Sequence, residues 1–305
     1  MEFKKIFEKY KQYLADKDLA VLTITGYLSD LRIFAQWFQE NNDRELTLEA
    51  ITPTDIKEYR RSLQLVDRRS ARTINRRLSS LSAFIQWGLG QKWIASNPMQ
   101  NIHQIRSSPS APRWLDKREQ FALQRAIERD LQLAKLRYPK RWVTRRRDAS
   151  LVLFMLHTGL RLSEAVALQM GDIQLSERKG SVLVRNGKGS KQRQVPLNTE
   201  ARRALSAWFE VRSGNDFVWT AVEGYQELGL SGRAVQRVLN RYAQEADLPA
   251  LTPHVLRHTF GKNLVNAGVS LEKVASLLGH ENLNTTRMYI TPSRQDLEQA
   301  VELMS

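Results

Sequence analysis

Cysteine is absent from the 305 residues, which excludes disulfides and thiolate metal sites and fits a cytoplasmic protein. Long apolar runs are missing too. Nowhere do about 18 apolar residues follow one another, as a membrane-spanning helix would need, and the N-terminus carries no signal-like pattern. Acidic side chains are scarce beside basic ones: 32 Asp and Glu against 47 Lys and Arg, a formal net charge of +15. That imbalance points to a polyanionic partner. Residues 1–106 hold 17 basic and 12 acidic side chains, net +5, which leaves 30 and 20, net +10, for the remainder. Both parts are basic, as two sides of a grip on one duplex would be. No internal repeat, low-complexity tract, metal-ligand cluster or nucleotide-binding loop is visible.

What is present is apolar periodicity. With 42% hydrophobic residues the chain can build two cores of ordinary domain size. Phe3, Ile6, Phe7, Tyr10 and Leu14 keep a helical period, as do Ile24, Leu28, Leu31, Ala35 and Phe38. Thr52 followed by Pro53 predicts a third helix over 53–65, and a fourth runs from about Ser70 to Gly88 on Ile74, Leu78, Leu81 and Ile85. Arg69, Arg72 and Arg76 share another side of that helix, and the cluster predicts phosphate or groove contact. Periodicity then lapses. Residues 107–113, rich in serine and proline, read as a linker between an N-terminal helical DNA-binding domain, 1–106, and a C-terminal domain, 114–305.

The second domain is expected to open with a helix near Asp116–Ala134. Lys135–Arg147 then packs seven basic residues around Tyr138, Pro139 and Trp142 and reads as an inserted excursion, before a buried helix at Ala149–Leu156. Strands are few: Ser181–Arg185 and Gln192–Leu197 flank Asn186-Gly187-Lys188-Gly189, a hairpin signal. Helices are predicted at Thr199–Arg212, Gly232–Ala246, Pro253–Ala267, Ser270–Leu278 and Asn284–Ile290. In the second of these, Arg233, Arg237 and Arg241 recur at i, i+4 and i+8, opposite Val235, Val238, Leu239 and Tyr242. Such a helix could lay a basic side in the major groove.

Chemistry concentrates toward the C-terminus. Thr158-Gly-Leu-Arg161-Leu-Ser-Glu164 is followed by His254-Val-Leu-Arg257-His258, by Leu278-Gly279-His280 and by Tyr289. Paired arginines grip a phosphate through planar, bidentate hydrogen bonds. Histidine moves protons near neutral pH, and a tyrosine hydroxyl can attack phosphorus and stay attached. His254 and Arg257, three apart, share a helical face. His258 stands at i+4 from His254, a spacing that can hold zinc. Val255 occupies the place where a metalloprotease has its glutamate, so no metal site is expected and His258 reads as a packed, hydrogen-bonded residue. Glu164, at i+3 from Arg161, is suited to fixing that guanidinium as a supporting residue.

The ordered set Arg161, Lys188, His254, Arg257, His280 and Tyr289 resembles the motif series of the tyrosine recombinase (phage integrase) family, in its short two-domain members, over most of the chain. The resemblance implies a mainly α fold: a helical, SAM-like core-binding domain, then an α-rich catalytic domain with a small antiparallel sheet. It implies Tyr289 as nucleophile, Lys188 as general acid, and cutting and rejoining of DNA through a 3′-phosphotyrosine and a Holliday junction, without metal, ATP or other cofactor. Its implied partners are double-stranded DNA bearing inverted-repeat core sites and further copies of the chain in a tetramer. The tail for that assembly would be a last helix, opened by Ser293-Arg-Gln-Asp296 and striped by Leu297, Ala300, Val301 and Met304. Two alternatives stand beside it: a type IB topoisomerase-like relaxing enzyme, and a non-catalytic DNA-binding accessory factor. The biological use, whether resolution of cointegrates, resolution of chromosome dimers or integration, is left open by the sequence.

Overall fold

Amphipathic stripes pair into helices from the first turn. In the computed structural model, which describes residues 3–17, 19, 21–106, 112–185, 192–214, 216–221, 229–280, 282–290 and 301, the chain divides into two compact units, Met1–Ser110 and Ala111–Ser305. The first contains α1 (Phe3–Ala15), α2 (Val21–Asn41), α3 (Pro53–Leu65) and α4 (Ala71–Gly90). Ile6, Tyr10 and Leu14 of α1 pack with Leu31, Phe34 and Phe38 of α2 and with Ile74, Leu81, Phe84 and Ile85 of α4. Aromatic edges close the packing, with Tyr10 and Phe84 centroids 5.0 Å apart and Phe34 and Tyr59 5.1 Å apart. The predicted start of α3 holds. Thr52 and Asp55 cap it reciprocally, with Pro53 at the first helical position.

The second unit comprises α5 (Lys117–Arg137), α6 (Trp142–Thr158), α7 (Leu162–Ala167), a sheet of β1 (Ile173–Leu175), β2 (Gly180–Val184) and β3 (Arg193–Pro196), then α8 (Thr199–Phe209), α9 (Gly232–Glu245), α10 (Pro253–Asn266), α11 (Leu271–Leu278) and α12 (Asn284–Arg287). The sheet is antiparallel in the order β1-β2-β3, with Ile173 opposite Val182 and Val182 opposite Val195. Its inner face meets the core built on α6, where Leu151, Val152, Phe154 and Met155 are buried with Trp208 and Trp219. Among the described residues no helix is long and apolar enough to cross a membrane.

Four sequence expectations need correction. Lys135–Arg147 is no excursion: α5 runs on to Arg137, a single 3₁₀ turn at Pro139–Arg141 reverses the chain, and α6 begins at Trp142. The apolar stripe was masked because α6 buries Arg147 and Asp148, which satisfy each other at 2.7 Å, while Arg147 also donates to the Thr220 carbonyl. Arg69 precedes the N-cap Ser70 and so lies off the helical face of Arg72 and Arg76; of these, Arg76 is paired with the buried Asp30 at 2.5 Å. Arg241 belongs to an ion-pair cluster with Asp130 (3.5 Å), Asp148 (3.2 Å) and Glu245 (3.8 Å). At about 100° per residue, eight positions carry Arg241 roughly 80° around α9 from Arg233, off the exposed side that Arg233 and Arg237 keep. Finally, α12 ends at Arg287, and Tyr289 sits in the turn beyond it.

Candidate active site

The end of α11 organises the site. Gly279 adopts the left-handed conformation (φ +66°), and the Gly279 and His280 amides bond back to the Ser276 and Ala275 carbonyls. A helix terminus leaves its last carbonyls without intrahelical donors and carries partial negative charge. Here three successive carbonyls each take a guanidinium. Arg193 Nε donates to Leu277 at 3.0 Å, an Arg257 terminal nitrogen to Leu278 at 2.7 Å, and an Arg161 terminal nitrogen to Gly279 at 2.8 Å. The other fork nitrogen of Arg257 reaches the Gly159 carbonyl at 2.8 Å, so the end of α6 is tied to the same point. Gly159 is itself left-handed (φ +62°). A Cβ there would meet the Phe260 ring at 2.4 Å, a position that only glycine can fill.

Glu164, buried in α7, balances this cluster. It accepts from the Arg161 amide and guanidinium, both at 2.8 Å, and from both terminal nitrogens of Arg193 at 2.8 and 2.7 Å. Burial alone would raise its pKa, but the hydrogen bonds from Arg193 and Arg161 outweigh it and hold the carboxyl at about 2. Arg257 is pushed down to about 10, by burial first and by Arg161 beside it, and stays cationic at neutral pH. Three guanidiniums face one carboxylate, a surplus of positive charge in a partly desolvated pocket. Glu164 thus has the supporting position expected of it. Arg193 belongs to no motif of paired charges in the sequence, and its place on β3 facing α11 has no local signal there.

Tyr289 is fully buried against this cluster. Its hydroxyl lies 3.0 Å from Nδ1 of His258, and the His280 ring lies parallel to its own at 6.5 Å. Gly261 makes room for it, since a Cβ at that position would stand 2.7 Å from Cζ of Tyr289. Burial raises the Tyr289 pKa, and the charge of Arg257 opposes the rise. His280 and His258 are each held near 4, by burial first and then by neighbouring positive charge, so both imidazoles are neutral at pH 7. Nδ1 of His280 is 2.9 Å from the Thr286 hydroxyl. His254 is brought to the same helix stripe but stands exposed, its ring 6.3 Å from that of His258. Lys188 and the tail from residue 291 to 300 lie outside the described residues, as do residues 302–305.

Comparison with known proteins identifies the family of the chain. Residues 134–296 match the phage integrase family and residues 7–92 its N-terminal SAM-like domain. A "Tyrosine recombinase XerD" from Ralstonia nicotianae is 32% identical over 92% of this chain and 86% of its own. The "TnP I resolvase" of Bacillus thuringiensis is 29% identical over 98% and 99%. Among solved structures, the XerH site-specific recombinase bound to palindromic difH substrate superposes with a TM-score of 0.74 at 23% identity, over 93% of this chain and 80% of that one. The chain belongs to the phage integrase family and is a tyrosine recombinase.

Proposed function

We propose that the protein carries out site-specific recombination by cutting and rejoining DNA through a 3′-phosphotyrosine at Tyr289, with strands exchanged through a Holliday junction. Phosphodiesters resist attack because their oxygens already repel a nucleophile and the leaving alkoxide is strongly basic. Arg161 and Arg257 neutralise the non-bridging oxygens, most strongly as charge builds in the pentavalent state. His254 and His280 add hydrogen bonds to the same group. Lys188, which follows β2 in the sequence, protonates the departing 5′ oxygen, a role suited to a flexible ammonium. The phosphotyrosine conserves the bond energy, so a second 5′-hydroxyl rejoins the strand without ATP. The observation that carries this reading is the convergence of Arg161, Arg193 and Arg257 on one helix end beside a tyrosine flanked by two neutral imidazoles.

The duplex is held by Arg72 of the first domain and by Arg233 and Arg237 of α9. Inverted-repeat core sites pair two protomers, and two such pairs make the working tetramer through the C-terminal tail. A relative spanning nearly the whole chain is named a resolvase, which favours resolution as the biological use.

The test is Tyr289→Phe on nicked suicide duplexes. The variant should keep its DNA affinity and yield no denaturant-resistant adduct; an adduct that persists would overturn the assignment. Joining of strands between two different duplexes separates this reading from simple relaxation by a topoisomerase.

A further inference from the structure

The deprotonation of Tyr289 needs an acceptor, and among the described residues named so far for the reaction none stands at hydrogen-bond distance from its hydroxyl. His254 is exposed and lies one turn back on α10. Nδ1 of His280 is engaged by Thr286, and its ring lies face-on to the Tyr289 ring, 9° from parallel, with its centroid 6.5 Å away. His258 alone among the described imidazoles meets the hydroxyl, with Nδ1 at 3.0 Å from Oη. We propose that His258 is a catalytic residue of this enzyme, the group that takes the phenolic proton as Tyr289 attacks and returns it when the phosphotyrosine is broken. The proposal rests on Tyr289 being the nucleophile.

The contact is built into α10. His254, Arg257, His258 and Gly261 fall at i, i+3, i+4 and i+7, a single stripe along the helix. Gly261 admits the Tyr289 ring over the backbone, which sets how far the hydroxyl reaches and leaves it opposite His258 three residues earlier. His258 is faced by His254 and Arg257 from its own helix, and by Tyr289 and His280 from the segment after α11. Burial and these charges keep it neutral, and in the tautomer that carries its proton on Nε2 the Nδ1 lone pair faces the Tyr289 hydroxyl.

The step balances. The Oη–H bond breaks and an Nδ1–H bond forms, while the oxygen electron pair makes the new bond to phosphorus. The bond from phosphorus to the 5′ oxygen breaks, and that oxygen takes its proton from Lys188. In rejoining, the incoming 5′-hydroxyl returns a proton to Lys188. The Tyr289 oxygen leaves phosphorus and recovers its proton from the His258 imidazolium.

The test compares wild type, His258→Ala and His258→Asn in single-turnover cleavage of a suicide duplex, each also made with a trifluorinated tyrosine at 289, whose phenol ionises far more readily. Both substitutions should slow adduct formation about 100-fold and slow rejoining alike, with DNA affinity kept. The fluorinated phenol should recover most of that loss while changing the wild type little. Asparagine keeps an acceptor near the hydroxyl but cannot take a proton. Cleavage by His258→Asn near the wild-type rate would therefore overturn the proposal, as would a fluorinated variant as slow as its parent. Thermal unfolding of each protein is followed in parallel, and if His258→Ala does not fold, the asparagine variant carries the comparison. An adduct in Tyr289→Phe would instead bring down the nucleophile assignment on which the proposal stands.

Discussion

At neutral pH Glu164 is an ionised carboxylate inside an otherwise cationic pocket, and its four hydrogen bonds come from Arg161 and Arg193. Removing one member of a buried pair strands the other, at a cost of about 3–5 kcal/mol. Arg193 is the member that bears this loss, because Arg161 is more open to water. Glu164→Ala should therefore lower stability in urea titrations by about 3 kcal/mol and remove cleavage, with Glu164→Gln intermediate because it keeps one acceptor. Unchanged unfolding in the alanine variant would mean that the carboxylate does not anchor the guanidiniums. A second single-atom question is the missing Cβ of Gly261. Gly261→Ala would place a methyl 2.7 Å from the Tyr289 ring, so the ring must shift. Overpacking of this kind costs about 1–3 kcal/mol. A lower melting temperature together with slower adduct formation is expected, and wild-type values in both would show that the ring is not seated there.

Elements were legible where burial has a clean period and caps are local. The capped starts of α3 and α4 at Thr52 and Ser70, and the end of α11 at Gly279, follow from residues within four positions of each boundary. What the sequence hid were long-range compensations. Arg147 and Asp148 look like surface residues until Thr220 and Arg241 are found against them, and Arg241 looks like a groove contact until α5 supplies Asp130. The motif series exposed five of the described site residues, but the grip of Arg193 on Leu277 spans 84 positions and leaves no local trace. The sequence predicts a packed, hydrogen-bonded His258, and only the turn after α12 shows its partner to be Tyr289. These elements also set the response to acid. His258 and His280 have an ordinary value of 6.5 but are held near 4 in the fold. Between pH 6.5 and 4 the unfolded chain binds protons that the folded one refuses, so stability present above pH 6.5 is lost as pH falls toward 4. Glu164, moved from 4.5 to about 2, adds to the loss from pH 4.5 downward. Melting temperature should decline from pH 6.5 downward, and His258→Gln and His280→Gln should each flatten the decline; equal slopes in all three proteins would contradict the assignment.

For the whole molecule the governing quantity is charge. A net +15 spread as +5 and +10 over the two parts suits a polyanionic partner contacted by both. If the two together neutralise about 10 phosphates, log K should fall against log salt with a slope of roughly −9. Filter-binding or fluorescence titrations across salt check this; a slope nearer −2 would mean that Arg72, Arg233 and Arg237 remain solvated. The end of α11 bears on how such a molecule is controlled. Because Leu277, Leu278 and Gly279 each take a different arginine, any shift of this helix end acts on all three contacts at once. A bend in the bound DNA or a neighbouring protomer that displaces this helix end would disturb all three contacts together, leaving Arg161 and Arg193 held by Glu164 and Arg257 by Gly159. Competence to cut and competence to rejoin would then disappear at the same displacement, leaving no state in which a strand is opened by a pocket unable to close it.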